Sequence, residues 1–216
     1  MTNHASDAPI NREPIAIIGM ACRFPMAADL NRFWSNILEG RDCVSDPVDG
    51  WDPERYLESG RIHTAKGGFL KDLFSFDPKR FGVMPSSVDG GEPDQYLALQ
   101  IAKDALDDAG CGEDYDHEET GIVLGHSTYL HRGQGSLVQH GLVLDQTMAL
   151  LSGLLPELEP IRLDEIRKLL ASKLPQFNAD VAPSLVPNVM TGRIANRLDL
   201  RGPNYLIDAA LSLIHI

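Results

Sequence analysis

Four consecutive apolar residues, Ile15, Ala16, Ile17 and Ile18, run without a polar interruption into Gly19. A run of this kind reads as a strand, and its lack of alternation requires cover on both faces. Thr120 to Gly125 (TGIVLG) has the same character, and Tyr205 to Ile207 reads as a short strand. Strands that need cover on both faces, with helices between them, imply an α/β fold.

The helices are legible from their spacing. Asp29 is a candidate N-cap for a helix whose apolar face is Leu30, Phe33, Trp34, Ile37 and Leu38, closed by Gly40. A second helix opens at Pro93 and carries Leu97, Ala98, Ile101, Ala102, Ala105, Leu106 and Ala109 before Gly110. Residues 136–152 and 163–174 are expected to be helical, the latter marked by Leu163, Ile166, Leu169, Leu170 and Leu174. Pro187 opens another helix, with Met190, Ile194 and Leu198 on one face. Residues 41–92, rich in Gly, Pro and Asp, are expected to form long loops with short pieces of structure, a length that usually lines a site or a contact. Residues 1–13 read as a disordered lead-in, with structure beginning at Pro14.

Charge and composition exclude several functions. A formal net charge of −12 over 216 residues opposes binding to phosphate backbones, so nucleic acid is not an expected partner. No apolar stretch approaches the roughly 18 residues of a membrane span, and Met1 to Arg12 lacks a secretory pattern; the cytoplasm is the expected compartment. Cys22, Cys43 and Cys111 are too few and too dispersed for a disulfide framework, and Cys22 and Cys111 read as packed thiols rather than nucleophiles. The glycine-rich segment Gly125 to Gly135 lacks the lysine of a phosphate loop. His126, His131 and His140 match no common metal-ligand spacing, and no carboxylate partner is evident, so they read as surface or loop histidines and no metal is expected. Asp89, Glu92 and Asp94 read as acidic groups that complement a helix dipole, and Glu118 and Glu119 as a solvated turn. No G-x-S-x-G elbow is present.

An ordered series of short stretches goes further. Glu13 to Pro25 reads EPIAIIGMACRFP. After it come Phe33-Trp34, Gly67-Gly68-Phe69-Leu70, Phe76-Asp77-Pro78, Phe81-Gly82, Glu92-Pro93-Asp94-Gln95, Ala105 to Gly110 and Thr120 to Gly125. Gly192-Arg193-Ile194-Ala195-Asn196-Arg197 and Leu200-Arg201-Gly202-Pro203 then lead into Asp208-Ala209-Ala210. This series resembles the N-terminal part of β-ketoacyl synthase domains of multidomain polyketide synthases, over about residues 13–210. The segment Pro85 to Pro93 looks like the variant in synthases of the polyunsaturated-fatty-acid type.

The resemblance implies the N-terminal portion of a thiolase-like, layered αβαβα fold, truncated, with residues 14–210 as an incomplete synthase domain. It implies a homodimeric parent enzyme that condenses acyl thioesters with malonyl-carrier protein in polyketide or fatty acid biosynthesis. Its substrates ride on the phosphopantetheine arm of an acyl carrier protein, and no cofactor is bound directly. In the family, the motif after Leu-Arg-Gly-Pro continues Asp-x-Ala-Cys, and that cysteine is the nucleophile. Here Leu211 occupies its place, so no catalytic residue is assigned. The two histidines that promote decarboxylation in the family fall beyond Ile216. These 216 residues by themselves are therefore expected to be inactive. The alternative is a non-catalytic module for dimerisation or carrier-protein docking. Leu211 to Ile216 break from the family pattern and coincide with a translated sequencing-library end, so residues 211–216 are read as an atypical, adapter-derived tail, with a genuine short C-terminal strand as the alternative.

Overall fold

The computed structural model describes residues 14–208 apart from 49–50, 72–74, 113, 128–130, 176, 178 and 180. The expected lead-in 1–13 and the tail, with Leu211, lie outside the described residues. In chain order the helices are α1 (Leu30–Leu38), α2 (Glu54–Glu58), α3 (Pro85–Gly90) and α4 (Pro93–Asp108). Strand β1 (Ile122–Gly125) follows, then α5 (Arg132–Val138), α6 (Leu144–Leu154), α7 (Pro160–Lys173), α8 (Val189–Arg197) and strand β2 (Asn204–Ile207).

The helix starts follow their local chemistry. Asp29 is extended (φ −152°, ψ 175°) and its carboxylate accepts from the Arg32 N–H at 2.8 Å, an N-cap that satisfies one of the free donors of the first turn. α4 opens on Pro93, where the missing N–H costs nothing. The helix expected over 136–152 begins earlier, at Arg132, and runs to Leu154 through one π-helical stretch, Gln139–Val143. Spacing alone does not reveal this, because a single wide turn rotates the apolar face partway along. The loops over 41–92 contain short pieces of structure, as expected: α2, α3 and an antiparallel bridge between Ser45 and Gly67.

Among the described residues the sheet is one parallel pair. β1 and β2 register Ile122 with Asn204, Val123 with Tyr205, Leu124 with Leu206 and Gly125 with Ile207. The ladder continues at both ends: the Ile122 N–H donates to the Pro203 carbonyl at 2.8 Å and the His126 N–H to the Ile207 carbonyl at 3.0 Å. β1 alternates between half-buried and exposed positions, so it is covered on one face, not two.

The core lies under this pair, between α4 and α8. Phe81, Val83, Tyr96, Leu99, Ile194 and Leu200 form it, with Leu106, Ile122 and Leu198 packed against it. Leu99 and Tyr96 are 0% and 1% exposed, and side chains of that size contribute about 1.5–3 kcal/mol each on burial. Phe76 sits between Phe81 (5.1 Å between centroids) and Tyr96 (4.8 Å), and the Arg193 guanidinium covers the other ring face of the cluster, 4.7 Å from the Tyr96 centroid.

The opening apolar run is the main departure from expectation. Ile15 to Ile18 form no strand and pair with no other described segment. Ile15 and Ile17 are 95% and 80% exposed. A parallel strand needs neighbours for its N–H and C=O groups, and β1 and β2 engage each other instead. What holds the segment is its other end. Gly19 rests directly on α4, where a Cβ would stand 2.4 Å from the Ala105 carbonyl oxygen, so only glycine fits. The Met20 N–H donates to Asp108 at 2.9 Å and Arg23 pairs with Asp104 at 2.6 Å.

Candidate functional site

The parallel pair has one end at which both strands finish, and functional groups in open α/β sheets gather outside the carboxyl ends of strands. Leu200-Arg201-Gly202-Pro203 sets β2 in place. Leu200 is in the core; the Arg201 N–H donates to the His117 carbonyl and the Gly202 N–H to the Thr120 carbonyl. Arg201 also pairs with Asp199 at 2.7 Å, and its guanidinium holds that exposed carboxyl below the ordinary carboxylate range. The segment thus works as a register clamp between the two strands. Beyond Ile207 the chain passes Asp208, and Leu211, the position of interest, lies outside the described residues.

Three segments converge at this end. The start of α4 supplies Glu92 at its N-cap and Asp94 and Gln95 in its first turn. Glu92 stands at the N-cap of α4, where its charge suits the helix start, and it does more: it is buried, and its carboxylate accepts from the Gly133 N–H of α5 at 2.6 Å, which ties the two helix starts together. Gln95 is buried and accepts from Arg193 of α8 at 3.4 Å. Asp94 also does more than complement a dipole. His126, the residue after β1, meets it at 2.7 Å through Nε2, and His131, just before α5, brings its Nδ1 to 3.9 Å from the same oxygen.

His126 and His131 do stand in loops, but they are not at the surface and they do have a carboxylate partner, contrary to expectation. The partner lies 32 positions earlier in the chain, and the packing of α4 beneath β1 brings it there, so no local spacing could reveal it. Both rings are largely buried and stack at 4.9 Å between centroids. His140 is elsewhere: its Nε2 lies 2.7 Å from the Pro175 carbonyl. The side chain of Asp89 lies outside the described ones, and Glu118 and Glu119 are exposed, as expected for a solvated turn.

The cysteines do not gather at the strand ends. Cys22 and Cys111 are buried, as expected, and Cys43 is intermediate. Burial, with a smaller contribution from Asp29, pushes the Cys22 thiol above its ordinary range against the pull of Arg23. Less thiolate is then present at any given pH than for a free thiol, so Cys22 is a poor nucleophile. Iodoacetamide at neutral pH should therefore alkylate Cys43 first, with Cys22 and Cys111 protected until denaturant is added; peptide mass mapping reads the order, and equal rates would contradict it.

A second concavity, of about 390 Å³, is lined by Arg80, Lys103, Tyr115, His117 and Arg197 among others. Its basic groups are partly neutralised, since Arg80 and Lys103 both pair with Asp107.

Comparison with known proteins places this arrangement. The family described as "Beta-ketoacyl synthase, N-terminal domain" matches residues 12–212. Polyketide synthase PksN of Bacillus subtilis (strain 168) is 29% identical over 98% of the chain, and polyketide synthase PksR of the same strain 31% identical over 97%. The chain spans 3% and 6% of those two proteins. Among solved structures, the Streptomyces albus JA3453 oxazolomycin ketosynthase domain OzmH KS7 superposes with a TM-score of 0.63 at 25% identity, over 89% of this chain and 28% of that one.

Proposed function

This chain belongs to the β-ketoacyl synthase N-terminal domain family, carries the N-terminal portion of a thiolase-like fold, and has polyketide synthases as its homologues; from that premise we propose that it is the opening segment of a ketosynthase that extends an acyl chain by decarboxylative condensation with a malonyl unit. The observation that supports this best is the clamped β1–β2 pair leading into Asp208, since in the family the nucleophile follows the motif that Leu200-Arg201-Gly202-Pro203 opens.

Leu211 falls inside the region matched to the family, and a leucine side chain offers no atom that can form a thioester. None of the three cysteines can replace it. Cys22 and Cys111 are buried, and Cys43 lies in the loop after α1. The 216 residues alone therefore hold no acyl group and release no carbon dioxide. In the parent enzyme the substrates arrive on the phosphopantetheine arm of an acyl carrier protein, and two synthase subunits associate, in the cytoplasm. No helix among the described residues is long and apolar enough to cross a membrane.

The test is acyl loading. Incubation with an acyl-carrier-protein thioester, followed by intact-mass and peptide mass spectrometry, should show no adduct on Cys22, Cys43 or Cys111. Malonyl-carrier protein should lose no carbon dioxide above the blank. An acyl adduct at any side chain, or stimulated decarboxylation, would refute the assignment of inactivity.

A further inference from the structure

We propose that Asp94, His126 and His131 form a binding site for a divalent transition-metal ion of the zinc type, at the carboxyl end of β1. One donor atom from each residue lies within 4.8 Å of the others. A tetrahedral zinc ion with ligand distances of about 2.1 Å holds its donors about 3.4 Å apart. The two measured separations bracket that value: 2.7 Å from His126 Nε2 to Asp94 Oδ2 and 3.9 Å from His131 Nδ1 to the same oxygen. The 2.7 Å contact must lengthen, the 3.9 Å one must shorten, and the two imidazole donors lie within 4.8 Å of each other, so side-chain shifts of up to roughly 1 Å at the ends of three elements would complete the geometry.

Hydrogen bonding alone leaves the cluster unsatisfied. The His126–Asp94 contact accounts for one nitrogen and one oxygen. His131 Nδ1 at 3.9 Å is beyond hydrogen-bond reach, and its Nε2 is buried without a partner, as are Asp94 Oδ1 and His126 Nδ1. These are the far ring nitrogens and the second carboxylate oxygen, not the donors that face one another, so with an ion in place they would be met by water or by outer-shell partners. Two imidazoles and one carboxylate are a borderline donor set that favours zinc, cobalt or nickel over calcium or magnesium. The support is rigid: Asp94 sits in the first turn of α4, His126 is held by its ladder bond to Ile207, and the Glu92–Gly133 bond fixes the start of α5 beside His131. The inference rests on this cluster alone and stands whether or not the parent enzyme condenses acyl chains.

The experiment uses the full chain as a maltose-binding-protein fusion, with the fusion partner alone as blank. Titration with Co²⁺ should give a visible ligand-field spectrum that saturates at one ion per chain, displaced by Zn²⁺ and unaffected by Ca²⁺ or Mg²⁺. His126→Gln and His131→Gln should each weaken binding at least about tenfold, and His140→Gln should not. A second measurement on the unmutated chain guards against variants that fail to fold. With Zn²⁺ bound, diethylpyrocarbonate should leave His126 and His131 unmodified while His63 and His140 react as before. Saturation at the blank level, retention of binding in both variants, or equal modification of the two rings with and without zinc would each overturn the proposal and leave the cluster as a staple between α4 and β1.

Discussion

Expressed by itself, the 216-residue chain should enhance the fluorescence of anilinonaphthalene sulfonate several-fold and melt over a broad range without a single sharp transition. The reason is the balance of apolar surface. The core beneath β1 and β2 is small, and a two-stranded pair gives little independent stability. Large apolar groups stand outside it in three places. Ile15, Ile17 and Ile18 line the unpaired opening segment; Trp34, Ile37 and Leu38 lie on α1; Leu150, Leu154, Ile161 and Leu169 lie on α6 and α7. The apolar stripe of α1 predicts burial, yet Asn36 is its buried residue, so most of the stripe faces outward. Exposed apolar area on this scale marks a surface that binds other chains or aggregates. Calorimetry with analytical ultracentrifugation decides the matter: a soluble monomer with one cooperative transition would contradict the prediction.

The second large effect is expected from Gly202→Val. A Cβ at this position would stand 2.7 Å from the Thr120 carbonyl carbon and 2.8 Å from the Gly121 nitrogen. Both are backbone atoms of the segment entering β1, so neither can swing aside. The valine must push the two strands apart, at a cost of about 3 kcal/mol or more, the upper end for overpacking. The Ile122-to-Pro203 bond and the ladder beyond it open together. Hydrogen exchange read by mass spectrometry should show protection lost across 122–125 and 204–207, together with a fall in soluble yield. Gly192→Ala is the matched control. It lies within α8, a Cβ there meets nothing within 4 Å, and replacing a helical glycine by alanine should stabilise by about 0.5–1 kcal/mol. Unchanged exchange in Gly202→Val would remove the clamp from the account.

What could be read from the sequence was local. The Asp29 cap, the Pro93 start and the β1 and β2 runs all rest on chemistry within a few residues of where it acts, and each stands in the structure. The resemblance carried the family, because its stretches occur in order along most of the chain. Two kinds of feature could not be read this way. Ile15 to Ile18 have the composition of a doubly covered strand, but cover is a property of what packs against a segment, and β1 and β2 close on each other without it. The Asp94, His126 and His131 cluster joins residues from the start of one helix, the end of a strand and the approach to another helix. No spacing rule spans that distance, because the carboxylate stands 32 positions before His126 and reaches it only through the packing of the helix start against the strand end.

The pins between Gly19 and Arg23 and α4 bear on the order of events during synthesis. Met20 reaches Asp108 across 88 positions and Arg23 reaches Asp104 across 81, and both partners precede β1 in the chain. A nascent polypeptide can therefore dock its opening segment as soon as α4 has left the ribosome, before either strand of the parallel pair exists. The opening segment is then parked at its final address with its edges free, while the ladder between β1 and β2 must wait for the whole crossover through α5 to α8 to be made.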